Sequence, residues 1–297
     1  MTPALIGVDW GTTNLRAWAL DGAGGVLAEA TSAQGIGALA GEGFAQVLRD
    51  LVGGWTDGGV PIVLGGMIGS RQGWHEAPYL ACPARVETLA ASALTLDTGV
   101  GRGWIVPGLS CRAETGIIDV MRGEEVQLCG LALEDGVAVL PGTHSKWVVV
   151  RRGEIVGFRT FMTGELFAVL KAHSILGRLM QEGEPDLDAF ATGVARALAD
   201  PALTALLFSV RSEGLFDRLP AASLADYLSG LLTGTEIAAN AVHRDAPTTI
   251  VGSGPLAARY ALALERAGFP APRIVDGVTA ATRGLHLIAR QLPGALA

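Results

Sequence analysis

The sequence predicts an α/β protein made of two similar halves, and three observations carry that prediction. A strand–turn–strand–turn–strand pattern opens the chain, the same pattern returns at residue 137, and alternating helices and strands follow it both times. At 297 residues the chain is long enough for two cores.

The first copy begins with an apolar strand, Leu5 to Asp9. An alternating strand, Leu15 to Leu20, follows, then turn residues from Asp21 to Gly25 and a third strand, Val26 to Ala30. A helix pattern covers Phe44 to Val52, and a buried-looking strand, Pro61 to Leu64, is expected to stop at Gly65 and Gly66. After a loop-rich stretch come a strand at Trp104 to Val106, a long Gly-rich loop, and a helix from about Gly123 to Glu134. "VAVLPGTHSKWVVV", 137–150, then repeats "IGVDWGTTNLRAWAL" in outline. An apolar strand leads to Gly-Thr, polar residues, a basic residue and a Trp-containing strand. The turn recurs at Arg151 to Gly153 and the third strand at Glu154 to Arg159. Helical patterns occupy 163–176, 187–199, 201–212 and 222–243. A strand, Thr249 to Gly252, enters a helix from Pro255, and Arg273 to Val275 enters the last helix. The boundary falls near Asp135, giving domains 1–135 and 136–297.

Composition narrows the function classes. Charged residues are 17% and hydrophobic residues 49%, as in folded globular proteins. No apolar run reaches the roughly 18 residues of a membrane span. A net charge of -7 without a basic run argues against nucleic acid. The strand pattern from Ala4 predicts no leader peptide and no appended DNA-binding segment. Cys82, Cys111 and Cys129 are odd in number and lack CxxC spacing, which fits reduced thiols in a cytoplasm. The five histidines have no metal-ligand spacing. Twenty arginines against Lys146 and Lys171 reflect base composition more simply than function.

Chemistry concentrates in five stretches. Each repeat puts a Gly-Thr turn between two strands, so two loops can face each other across a cleft and cradle phosphate with N–H and hydroxyl donors. The first loop is Gly11, Thr12, Thr13 and Asn14, and the second is Gly142, Thr143, His144 and Ser145. Only the first copy has an acid, Asp9, where the second has Leu140. A carboxylate beside phosphate needs a cation between them, so Asp9 suggests Mg²⁺ held largely through water; Arg16 and Lys146 counter phosphate charge. No GxxxxGK[ST] and no strand-following GxGxxG is present, which weakens P-loop and dinucleotide readings. In "IVGSGPLAARY", Gly252, Ser253 and Gly254 let a nucleotide base lie against the backbone. In "DVMRGEEVQLCG", Glu124 and Glu125 begin a helix whose dipole keeps a carboxylate ionised, beside Arg122. In 65–84, Met67, Ser70, Arg71, Trp74 and Tyr79 mix apolar, hydroxyl and cationic groups suited to a small polyol acid.

"DWGTTNLRAW" resembles the first phosphate loop of the actin, hexokinase and Hsp70 superfamily. With residues 65–84, "VMRGEE", "LPGTHSKW", "FRTFMTGEL" and "LSGLLTGTEI", the chain resembles the 2-dehydro-3-deoxygalactonokinase family nearly end to end. The resemblance implies two ribonuclease H-like domains closing over ATP, Mg²⁺ and a sugar acid whose 6-hydroxyl is phosphorylated. It places Asp9 at the metal, the two loops at the phosphates, Gly252 to Gly254 at the adenosine, and Glu125 among the substrate contacts. Superfamily sugar kinases have a catalytic aspartate where this chain reads Arg122, Gly123, Glu124, Glu125; Glu124 is the candidate base and Asp119 its rival. Arg16, Arg71 or Arg122 would pair with the substrate carboxylate. Another sugar or sugar-acid kinase, or an actin- or Hsp70-like ATPase, are the competing classes, and a homodimer is left open.

Overall fold

Each of the two predicted meanders opens a sheet, and the two sheets share one strand order. The computed structural model describes residues 3–39, 43–56, 59–200 and 202–296. β1 (Leu5–Trp10), β2 (Leu15–Leu20) and β3 (Val26–Ser32) pair antiparallel, with Ile6 opposite Ala19 and Asp9 opposite Arg16. After α1 (Gly43–Val52), β4 (Ile62–Gly66) lies parallel to β1. Both are buried almost throughout, as central strands covered on two faces must be.

Gly65 and Gly66 continue β4 instead of stopping it, opposite Asp9 and Trp10. Their missing side chains are what the position requires. A Cβ on Gly65 would sit 2.9 Å from Val126, and Gly66 has φ +91°.

β5 (Tyr79–Ala81), α2 (Val86–Ala91) and β6 (Leu94–Asp97) occupy the stretch expected to be mostly loop, and β7 (Arg102–Ile105) is the strand expected at Trp104 to Val106, begun two residues earlier. The expected Gly-rich loop folds as β8 (Gly108–Arg112) and β9 (Ile118–Met121), antiparallel, with β5 beside β8. The first sheet runs β3-β2-β1-β4-β7-β6.

α3 (Glu124–Leu131) precedes the second meander, β10 (Gly136–Leu140), β11 (Ser145–Arg151) and β12 (Glu154–Phe161). Four helices follow: α4 (Thr163–His173), α5 (Leu187–Ala199), α6 (Leu203–Leu215) and α7 (Leu224–Ala238). Pro201, where the third of these was expected to begin, lies outside the described residues. The expected 163–176 and 222–243 helices end earlier and pass into short 3₁₀ turns at Leu176–Leu179 and Ala241–His243. β13 (Thr248–Val251), α8 (Gly254–Arg266), β14 (Arg273–Val275) and α9 (Gly277–Ala289) complete the chain. The second sheet runs β12-β11-β10-β13-β14, matching β3-β2-β1-β4-β7 position for position. That correspondence is the duplication read in the sequence.

The compact units are interleaved. Unit 1 runs to Asp135, the expected boundary, and then takes in Val150–Phe158 and Asp276–Ala297, which a continuous division gives to the second half. Unit 2 is Gly136–Val149 with Arg159–Val275. Within unit 1, Ile155 bridges to Ala84 and Glu154 pairs with Arg85 at 2.8 Å. α9 lies on α3 so closely that a Cβ on Gly284 would be 1.8 Å from the Val126 carbonyl, and one on Gly130 1.9 Å from that of Ala280. In unit 2, α5 meets α7 through Gly193 and Gly230 in the same way. Unit 1's core gathers Trp10, Phe44, Ile62 and Leu64; unit 2's gathers Trp147, Phe190, Ile250 and Tyr260. Among the described residues no helix is long and apolar enough to cross a membrane.

Candidate active site

The acid of the first loop and the start of α3 meet at a corner made of glycine. A Cβ on Gly66 would lie 3.1 Å from the Asp9 carboxylate, and one on Gly123 3.2 Å from the Gly66 Cα. Gly66 and Gly123 both have positive φ, +91° and +110°. Larger residues at either position would push Asp9 and α3 apart. Burial raises the pKa of Asp9; Arg16, opposite it on β2, lowers it, and Glu124 raises it again. Two carboxylates thus share this corner.

Glu124 accepts the Arg122 backbone N–H at 3.1 Å. Glu125 is fully buried, and its two oxygens accept the Gly123 N–H at 2.9 and 2.7 Å. Its carboxyl is pushed up to about 8, first by burial and then by Glu124. The helix dipole was expected to keep this group ionised; loss of water outweighs it. Glu125 therefore shapes the turn that presents Glu124. Asp119 lies elsewhere, on β9 opposite Cys111, whose thiol pKa it helps to raise.

The first loop is tied down from behind. The Gly11 N–H closes the turn on the Asn14 carbonyl at 2.8 Å. The carbonyls of Gly11, Thr12 and Thr13 accept from Ile36, Gly37 and Gly35 at 3.0, 3.0 and 3.2 Å. Thr12, Thr13 and Asn14 stay exposed, as does Arg16. Their donors can serve an anion there.

Beyond β4 the loop residues divide. Trp74 stacks on Phe44 (6.2 Å, 16°), and Met67 packs on the same core. Arg71 is exposed and bonded to Glu76 at 3.0 Å. Arg122 is only 8% exposed; its guanidinium covers the Tyr79 ring at 4.2 Å, and Nη2 donates to the Ala77 carbonyl at 2.8 Å. Arg122 Nε and Nη1, and the hydroxyl of Ser70, are buried without a hydrogen-bond partner.

Unit 2 holds a cavity of about 560 Å³, within the usual size range of small-molecule sites. Gly142, Thr143, Thr163 and Gly164 form one wall, and Pro255, Leu256, Arg259 and Tyr260 another. Gly252 (φ +155°) and Gly254 (φ +65°) turn β13 into α8, with exposed Ser253 between them. The second loop is fixed by α4. The Glu165 N–H donates to the Thr143 carbonyl at 3.0 Å, and His144 Nε2 meets the Glu165 carboxylate at 2.5 Å. Lys146 is buried, its Nζ donating to the His144 carbonyl at 3.2 Å.

Beneath this wall lies a residue that sequence reasoning missed. Glu236 of α7, 2% exposed, accepts from Ser145 Oγ and Trp147 Nε1 at 2.7 Å each, from the Tyr260 hydroxyl at 2.8 Å, and from Thr163. Burial raises its pKa despite these donors. One carboxyl thereby joins the second loop, the start of α4 and α8. Its signal was a single acid inside the apolar and small-residue run "LLTGTEI".

A family model described as 2-keto-3-deoxy-galactonokinase matches residues 9–288. The 2-dehydro-3-deoxygalactonokinase of Escherichia coli K12 is 38% identical over 294 residues, 97% of this chain and 98% of its own. A crystal structure from Sinorhizobium meliloti aligns with TM-score 0.88 at 38% identity, covering 96% of this chain and 98% of its own. Component A of the (R)-2-hydroxyglutaryl-CoA dehydratase of Acidaminococcus fermentans aligns with TM-score 0.51 at 13% identity, covering 97% and 98%. That last likeness is one of fold, the fold of actin- and Hsp70-like ATPases.

Proposed function

The chain belongs to the 2-keto-3-deoxy-galactonokinase family, and from that membership we propose how its residues transfer phosphate. It is a phosphotransferase, a 2-keto-3-deoxygalactonate kinase of galactonate catabolism. The donor is ATP and the acceptor is the terminal 6-hydroxyl. A cytoplasmic setting suits the three free cysteines.

The observation that carries the assignment of roles is the glycine corner that the half-buried Asp9 and Glu124 share. Phosphoryl transfer needs little covalent help from the protein, so positioning and charge stabilisation decide the rate. Glu124 accepts the hydroxyl proton and orients the oxygen; its backbone tie to Arg122 fixes it for that task. The exposed donors of Thr12 to Asn14, and those of the second loop, serve the phosphates. The unit 2 cavity takes the nucleoside, with the Gly252–Gly254 turn allowing close approach.

A magnesium ion fits the donor set. Asp9 is a half-buried carboxylate whose pKa is raised by loss of water and by Glu124, so a cation would relieve it. Among the described residues no group of three His, Cys, Asp or Glu is arranged to hold a metal, which suits an ion that keeps most of its waters. When bound, such an ion neutralises phosphate charge, and Asp9 would hold it.

A coupled ATP assay across 2-keto-3-deoxy acids, gluconate and glucose tests the acceptor. Turnover of glucose or gluconate equal to that of the galacto acid would overturn it. Glu124→Gln should lower kcat about 10²-fold or more, on general-base magnitudes, while Asp119→Asn stays near wild type. The reverse pattern would move the role to Asp119.

A further inference from the structure

We propose that Arg122 and Ser70 form the receptor for the substrate's carboxylate, a specificity site distinct from the acid corner. The proposal rests on the kinase reading above for the acceptor's identity.

Three arginines were candidates, and their surroundings separate them. Arg71 is exposed and already paired with Glu76. Arg16 is exposed on β2, opposite Asp9. Arg122 is the buried one; the carboxyl it acts on is that of buried Glu125, and its pull there is the smallest of the influences on that group. Its Nη2 is committed to the Ala77 carbonyl, its face to the Tyr79 ring. Nε and Nη1 have no acceptor. A buried donor left without an acceptor is costly, and a buried cation more so, unless an anion completes it. Ser70 carries a second buried, unpartnered donor. It follows Gly69 directly, and Nη1 lies 2.8 Å from where a Gly69 Cβ would be. The residue before Ser70 thus lies against the unpartnered Nη1, and a carboxylate accepts from both donor types.

The spacing suits the substrate. A 2-keto-3-deoxy hexonic acid carries its anion at C1 and its acceptor hydroxyl at C6, opposite ends of the chain. The protein's ruler is Arg122 itself: its backbone N–H is bonded to the Glu124 carboxylate, while its guanidinium sits one side-chain length away. An acid seated on the guanidinium can therefore extend back toward Glu124. Tyr79, 42% exposed, covers the outer side, and its ring must move to admit the acid. Neutral hexoses offer nothing to complete the buried donors, so the same feature that binds the acid rejects them.

The test compares 2-dehydro-3-deoxy-D-galactonate with its neutral analogue, hydroxymethyl replacing the carboxylate, at saturating ATP. Arg122→Gln should raise KM for the acid about 10²-fold, with kcat and the KM for ATP little changed, as lost ground-state binding requires. The acid-to-analogue ratio of kcat/KM should fall by the same factor, which loosened folding alone would not produce. A variant with wild-type Tm and an unchanged ratio would overturn the proposal. Ser70→Ala provides an independent reading: a fall of about tenfold in the ratio supports the site, and an unchanged ratio refutes it even where Arg122→Gln fails to fold. If the wild-type enzyme prefers another sugar acid, the acceptor assignment fails, while the ratio measured on that acid still judges Arg122. Preference for a neutral hexose would overturn both.

Discussion

Glu125 lies in the first turn of α3, where peptide dipoles favour a carboxylate, yet its carboxyl is pushed up to about 8 because it has lost water and faces Glu124. The folded state therefore holds this proton more tightly than the unfolded chain, whose value is near 4.5. Stability from this residue is largest below about 4.5 and declines as pH rises through about 8. Glu125→Gln keeps an oxygen for the Gly123 N–H and removes the titration. Thermal melts from pH 5 to 8 should show wild type losing stability against the variant, with a slope approaching about 1.4 kcal/mol per pH step of one. Parallel melting curves across that range would contradict the assignment. The same residue marks what the sequence left hidden. Pattern alone put both glutamates in the same first turn, and only the burial of Glu125 separates the group that shapes the turn from the group that turn presents.

Helix pairs α3–α9 and α5–α7 approach through glycine, and the cost of filling those contacts is steep. Gly284→Ala would place a Cβ 1.8 Å from the Val126 carbonyl, so α9 has to lift from α3. A loss of about 1–3 kcal/mol or more is expected, read as a Tm several degrees lower. Gly22→Ala, with open space around it, should leave Tm unchanged. Equal melting of the two variants would refute the close packing. At this scale the sequence was legible where elements were long and periodic. The three strands of each meander, α1, α5, β13 and β14 lie close to where patterning puts them. β5, β6, β8 and β9 have only three to five residues each, too few for alternation to stand out. Ile118 and Val120 on β9 are exposed, so no apolar face betrays that strand. Gly65 and Gly66 read as a stop because glycine usually ends strands; here close approach of Val126 and Asp9 demands it. The two Gly-Thr turns were visible as a repeat. Glu236 and the buried state of Arg122 were not, since both depend on what distant segments place around them.

The two sheets repeat one order, but of the two first strands only β1 carries an acid near its end, Asp9, where β10 has Leu140. Sequence patterning made the repeat legible; it did not reveal that unit 1 recovers Val150–Phe158 and α9 from later in the chain. Helix α9 packs on α3 and reaches β1, where Leu285 lies 2.8 Å from the position of a Gly7 Cβ. Truncation after Val275 should therefore abolish cooperative melting of unit 1, followed by circular dichroism; an unaltered full-length Tm would refute it. This arrangement also sets an order of completion on the ribosome. Every residue of unit 2 is made before the last segment of unit 1. α3 ends at Leu131 and its covering helix starts only at Gly277. At about 5–20 residues per second, a nascent chain waits on the order of ten seconds with that helix uncovered. The half begun first is the half finished last, and the corner holding Asp9 and Glu124 is closed from behind only by the final helix to be translated.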